Sequence, residues 1–176
     1  MTEAWRRNRP APDEYAPFYE SYIARVPDGD VVRLLGSQID ETIAFLRAIP
    51  ESKGDHRYAD GKWSIRETIG HMIDAERVFA YRALRFSRGD EIPVEGFDEN
   101  LYVAAATFGR RSLGHLIAEF EFVRRSTIAM LEPLDETEMT RVGVANGKPV
   151  SVRALAFITA GHELHHVAIL KDRYLR

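Results

Sequence analysis

Four segments of roughly twenty residues repeat apolar side chains at steps of three and four, and this recurrence limits the fold more than any other feature. The first is "DVVRLLGSQIDETIAFLRAIP", where Asp30 is placed to cap, Val31, Leu35, Ile39, Ile43 and Leu46 share a face, and Pro50 ends the run. The second opens on Ser64-Ile65-Arg66-Glu67, a capping box in which serine and glutamate each satisfy the other's backbone amide. Trp63, just ahead of that cap, is placed to staple onto an apolar residue of the first turn. Ile65, Ile69, Met72, Ile73, Phe79 and Phe86 continue the pattern to Gly89, a residue suited to ending a helix. A third run spans about Ser112 to Leu131 before Pro133, and a fourth runs from about Ser151 to Tyr174.

Strand signals are confined to "RVGVANGKPVS", where Asn146-Gly147 between valine-containing pieces predicts a small hairpin. The long connection "DEIPVEGFDENLYVAAATFGR", between the second and third runs, leaves room for one short helix. The expected fold is therefore all-α: a four-helix bundle with that long connection between helices 2 and 3. Pro10, Pro12, Pro17 and Pro27 break any long helix ahead of it, leaving one short helix around "PFYESYIARV". Tyr15, Phe18, Tyr19 and Tyr22 imply that this stretch packs on the bundle. Two parts are expected: an extension over residues 1–29 and a bundle over residues 30–176.

The chain has no cysteine, which removes disulfides, thiolate metal sites and cysteine nucleophiles together. Any transition metal must be held by His, Asp and Glu. Net charge is −3 with both signs interspersed, so no nucleic-acid surface is expected. The cluster Arg6, Arg7, Arg9 reads as a solvated tail. No apolar run reaches the ~20 residues that span a bilayer, and no apolar signal-peptide core opens the chain. The expectation is a cytoplasmic protein without a membrane partner.

The stretch "TAGHELHHVAIL" carries three of the six histidines within five positions. At about 100° per residue, His162 and His166 fall on the inward stripe with Leu155, Thr159 and Ile169, while His165 lies at the flank. Such a pair is either two satisfied core imidazoles or a metal chelate that spends one nitrogen of each ring on the cation. On the second helix, His71 lies on a polar seam with Ser64, Glu67, Ala75, Val78 and Arg82, and Asp74 is nearby. Three imidazoles from two helices would leave a metal with open positions for water or substrate. His56 and His115 fall outside this set. The letters His162-Glu163-Leu164-His165-His166 also satisfy H-E-x-x-H, the zinc-hydrolase helix in which the glutamate is general base. The two readings share His162 and His166 and part over His71 and Glu163.

"GKWSIRETIGHMIDAERVFAYR" and, about ninety residues on, "GHELHHVAILKDRYL" together resemble the DinB-like superfamily, including its bacillithiol-transferase-like branch. The resemblance rests on Trp63, Ser64, Glu67 and His71 in the first signature and His162, His166 and Leu170 in the second. It implies a four-helix bundle holding a divalent metal, nickel or zinc, on His71, His162 and His166, and it implies homodimers. It also implies a reaction on a small molecule: transfer of a low-molecular-weight thiol to an electrophile, or hydrolysis. Glu67, Asp74 and Glu163 are the candidates for proton transfer or ligand support, and Arg82 for contact with an anionic substrate. Two other readings stand beside this one: a metal-binding bundle without turnover, and a metal-free bundle with satisfied core histidines.

Overall fold

In the computed structural model, which describes residues 6–175, the chain begins with an arm pinned to the bundle. Pro12 and Pro17 each open a 3-10 turn (Pro12–Glu14 and Pro17–Tyr19), a position where a missing amide costs nothing. The second turn runs into a one-turn helix, α1 (Glu20–Ile23). Arg9 then donates to carbonyls at the end of α1 and just after it, those of Ile23 and Val26, and meets Asp28 at 3.1 Å. Arg6 is buried and donates to the Glu132 carbonyl. Glu14 accepts from Ser151 and Arg153 at the start of the last helix. The expected solvated tail is thus corrected: among the described residues only Arg7 of the three arginines lacks such a role, because backbone carbonyls draw in the other two.

The bundle helices are α2 (Val31–Arg47), α3 (Ile65–Ser87), α5 (Leu113–Leu131) and α7 (Val152–Ile169). Each starts behind a side-chain cap, from Asp30, Ser64, Ser112 and Ser151 respectively. The long connection carries the short α4 (Glu99–Ala105), and α6 (Glu136–Thr140) follows α5. Strands β1 (Val142–Ala145) and β2 (Lys148–Ser151) pair antiparallel around Asn146 and Gly147, both at positive φ. The connection docks on this hairpin: the Val94 amide donates to the Val144 carbonyl, and the Asn146 amide donates to that of Val94, each at 2.9 Å. Helix α3 packs on α5 and α7, α2 packs on the same two, and α1 lies across α7. Among the described residues no helix is long and apolar enough to cross a membrane.

Two differences from the sequence reading matter for the site. The last helix stays α-helical only to Ile169 and continues as a π-turn, Leu170–Tyr174, which lets the Tyr174 hydroxyl donate to the Trp63 carbonyl at 2.6 Å. Helix α7 is also buried on nearly every side from Val152 to His162, because α1 covers the face that four helices alone would leave open. Gly161 permits that cover: a Cβ there would lie 2.1 Å from the Tyr22 carbonyl oxygen.

The apolar interior divides in two. One cluster holds Val31, Leu35, Phe79, Phe86, Leu155 and Phe157, among others; the second holds Ile39, Leu46, Ile69, Met72, Leu116 and Val167, among others. Between them runs a polar layer with one residue from each bundle helix: Gln38, Glu76, Arg124 and Glu163. Arg124 is fully buried, pairs with Glu76 through Nε and Nη2 at 2.8 and 2.9 Å, and reaches Glu163 through Nη1 at 2.5 Å. Gln38 donates to Glu163 at 2.6 Å. Replacing Arg124 by Ala leaves two carboxylates facing each other without a cation. A loss of roughly 3–5 kcal/mol is expected, because an uncompensated buried charge remains. Urea unfolding followed by far-ultraviolet circular dichroism measures it, and a loss below about 1 kcal/mol, the value of an exposed pair, would contradict the role assigned to this layer.

Candidate metal centre

His71 lies two turns into α3, while His162 and His166 lie one turn apart on α7. Because α3 and α7 pack side by side, the three rings meet. Nε2 of His162 is 3.0 Å from Nε2 of His71 and 3.1 Å from Nε2 of His166. Among the described residues these three form the one group of His, Asp and Glu side chains able to hold a metal, with donor atoms within 4.8 Å of one another. All three are buried.

Protons alone satisfy this arrangement poorly. A neutral imidazole nitrogen carries either one proton or one lone pair, and His162 Nε2 faces two other ring nitrogens at hydrogen-bond distance. One lone pair would have to serve two donors, or one proton two acceptors. A cation that accepts a lone pair from each ring removes the conflict. The residues therefore fit a metal of the kind imidazole suits. Burial drives the protonation of His71 down to about 4, with His165 adding to the effect. Burial first, and then the neighbouring rings, also drives His162 and His166 well below the ordinary value. All three lone pairs are consequently free for coordination at neutral pH.

Aromatic rings pack around the trio. Trp63 lies with its centroid 4.7 Å from that of His71, so it covers a site ring. Tyr22 and Phe79 meet His162 edge-on at 5.4 and 5.6 Å. His165, at the flank as expected, packs against Tyr22. His56 stacks edge-on against Tyr174, and His115 lies on the first turn of α5, lining a separate surface hollow; neither joins the trio.

Two cavities reach the centre from different sides. One, of about 210 Å³, is lined by His71, His162, Phe79, Arg82, Tyr19 and Tyr22, with Glu99 and Asn146 also on its wall. The other, of about 250 Å³, is lined by His166, Trp63, Thr68, Tyr58, Ile169 and Tyr174. The structure brings Arg82 together with the histidines, as its place on the His71 stripe implied. It does not do so for the three carboxylates singled out from the sequence, none of which lines either cavity.

Glu67 closes the capping box and pairs with Arg57. Burial pushes it up, but Arg57 and the Ser64 amide more than offset this and hold it below its ordinary value. Asp74 turns toward Arg77 at the α5 side, where burial raises it. Glu163, the general base that an H-E-x-x-H reading requires, is committed to Arg124 and Gln38. About 100° of helix rotation from His162 places it in the polar layer of the core, away from the cavities. Sequence reasoning missed Glu99, Tyr19 and Tyr22 as cavity residues. The aromatic run of the arm was a signal of packing but not of location.

Together these features define a helical-bundle protein built around a buried three-histidine centre. The sequence model of the DinB superfamily matches residues 34–170, most of the chain, and the protein belongs to that superfamily. YfiT from Bacillus subtilis, described as a probable metal-dependent hydrolase with an unusual four-helix bundle topology, is similar in fold. Its TM-score is 0.70 at 15% identity, over 94% of this chain and 91% of that one. No curated protein matches the chain in sequence. The arm, with Tyr19 and Tyr22, precedes the matched span.

The depressed histidines predict how the metal-free protein responds to acid. The unfolded chain takes up protons on these rings as pH falls below about 6.5, whereas the folded His71 resists until about 4. Stability is therefore present in full above the unfolded value and is lost as pH falls, by on the order of 3 kcal/mol for His71 alone. Thermal melts of chelator-treated protein between pH 7.5 and 4, compared with a His71→Gln variant whose slope should be shallower, measure this; equal slopes would contradict it.

Proposed function

We propose that the protein is a metal-dependent enzyme that joins two small molecules, one of them a low-molecular-weight thiol, with hydrolysis as the second reading. The observation that carries the proposal is the pair of separate cavities, one touching His71 and His162 and the other touching His166. A transfer needs two reactants beside one centre, and two access routes to one trio suit that demand. Hydrolysis needs a single organic substrate and water, and the description of YfiT as a probable metal-dependent hydrolase favours that reading.

His71, His162 and His166 would hold a divalent ion, nickel or zinc, which would lower the pKa of a bound thiol or water so that the deprotonated nucleophile is available at neutral pH. The chain's own residues supply the setting. Three neutral imidazoles leave the full charge of such an ion uncompensated, and Trp63, Phe79 and Tyr22 give the site aromatic walls. With Glu67, Asp74 and Glu163 engaged elsewhere, Glu99 is the carboxylate that lines the first cavity and the candidate for proton transfer there. The protein has no cysteine to offer as a nucleophile, so the thiol must arrive as a substrate.

Elemental analysis of untagged protein is expected to give one nickel or zinc per chain. His166→Ala should lose that metal while the helical circular dichroism signal is kept; a variant that holds stoichiometric metal would overturn the ligand set. Loss of a small-molecule thiol against an electrophile such as chlorodinitrobenzene should then depend on metal and vanish in His166→Ala. Metal-dependent cleavage of esters or amides without any thiol transfer would decide for hydrolysis.

A further inference from the structure

Three of the four buried arginines invite comparison. Arg124 is held by Glu76 and Glu163, and Arg66 by Glu51 and Asp55. Arg82, only 3% exposed, has no such partner. Its Nη2 donates to the Glu95 carbonyl at 3.1 Å, its guanidinium also hydrogen-bonds the Tyr19 phenol, and its Nε is buried without a hydrogen-bond partner. Among the described residues no carboxylate pairs with it. A guanidinium presents five donors, and a buried charge is costly unless it is paired.

This fork without a carboxylate lies in the wall of the 210 Å³ cavity that His71 and His162 also line. His71, Ala75, Phe79 and Arg82 all line it from α3, within about 80° of one another around the helix. Ala75 leaves room in the floor and Phe79 makes that floor apolar. Eleven residues separate the two ends, on the order of 16 Å along the helix axis, and the gap is shortened because both side chains lean toward the N-terminus and arginine reaches farther along that lean than histidine. The cavity thus has an imidazole centre at one end, an apolar middle and a cation without a carboxylate at the other.

We propose that this cavity binds a small carboxylate, its anionic head on Arg82 and its reactive end, separated by an apolar spacer, at the histidine trio. The planar guanidinium matches a carboxylate in a two-point contact. Glu99 on the same wall repels a second negative charge and so favours a monoanion over a phosphate dianion. The volume, about seven water molecules' worth at ~30 Å³ each, limits the ligand to a small molecule. The reading deepens the proposed function by naming the chemistry of one reactant, but the head-group contact does not need the metal.

The test uses the full-length protein, as purified and after metal removal, with 4-phenylbutanoate, its neutral amide and phenyl phosphate as probes. Nitrogen–proton NMR of arginine side chains follows the Arg82 Nε–H signal, assigned by its disappearance in Arg82→Gln. The acid should shift that signal in both forms of the protein and bind about tenfold or more tightly than the amide, as a charged hydrogen-bonded contact gives. Phenyl phosphate should bind more weakly than the acid. Arg82→Gln should erase the acid-over-amide preference, and Arg82→Lys should keep part of it. Acid and amide binding alike, or an Nε–H signal that the acid leaves in place, overturns the proposal even if the glutamine variant fails to fold. Tighter binding of phenyl phosphate overturns the carboxylate assignment. Metal content is measured separately, so loss of the ligand set and loss of the anion contact are distinguishable outcomes.

Discussion

The contact of Arg124 with Glu76 and Glu163 is the interaction around which the molecule is arranged. It joins α3, α5 and α7 at one level, and Gln38 brings in α2 through the same Glu163 carboxylate. Apolar packing alone tolerates sliding of one helix along another, since one leucine-lined groove resembles the next. A buried ion pair does not, because each carboxylate left out of reach costs several kcal/mol. The layer therefore sets the register of α7 against α3, and register is what a site built from two helices requires. Glu163 is the residue next to His162, so the group that places the helix and the group that presents its lone pair are fixed together.

The centre inherits its character from this position between two apolar clusters. Burial keeps the three imidazoles neutral and close, and closeness makes their shared nitrogens hard to satisfy with protons. The arm completes the enclosure. Tyr22 packs on His162, and Gly161 lets its backbone approach α7. The extension walls the cavity that the bundle opens. Helix α7, buried on almost every side, already carried a sign of this in the unbroken run "ALAFITAG".

The H-E-x-x-H letters show how one spacing can serve two architectures. In both, residues four apart share a face and present two imidazoles. What differs is the neighbour that meets the intervening glutamate. Here that neighbour is a buried arginine from α5, so the carboxylate is spent on holding the core together. The same logic separates Arg124 from Arg82: identical side chains, one enclosed by carboxylates and one facing a cavity.

Periodicity, caps and turns are local properties, and the sequence by itself determined them: the four bundle helices, the Ser64–Glu67 box, the Asn146-Gly147 hairpin and the shared face of His162 and His166. The His71 seam was legible for the same reason, since helical geometry ties spacing to direction. Which partner each polar side chain would find was not legible. Glu67, Asp74 and Glu163 looked alike as carboxylates near histidines, and only packing assigned them to Arg57, Arg77 and Arg124. The placement of Tyr19, Tyr22 and Glu99 on the cavity wall, like the lack of a carboxylate beside Arg82 among the described residues, also came from tertiary structure alone. These contacts join residues far apart in the chain, and nothing in the local pattern encodes which distant charge will be near and which cavity will stay open.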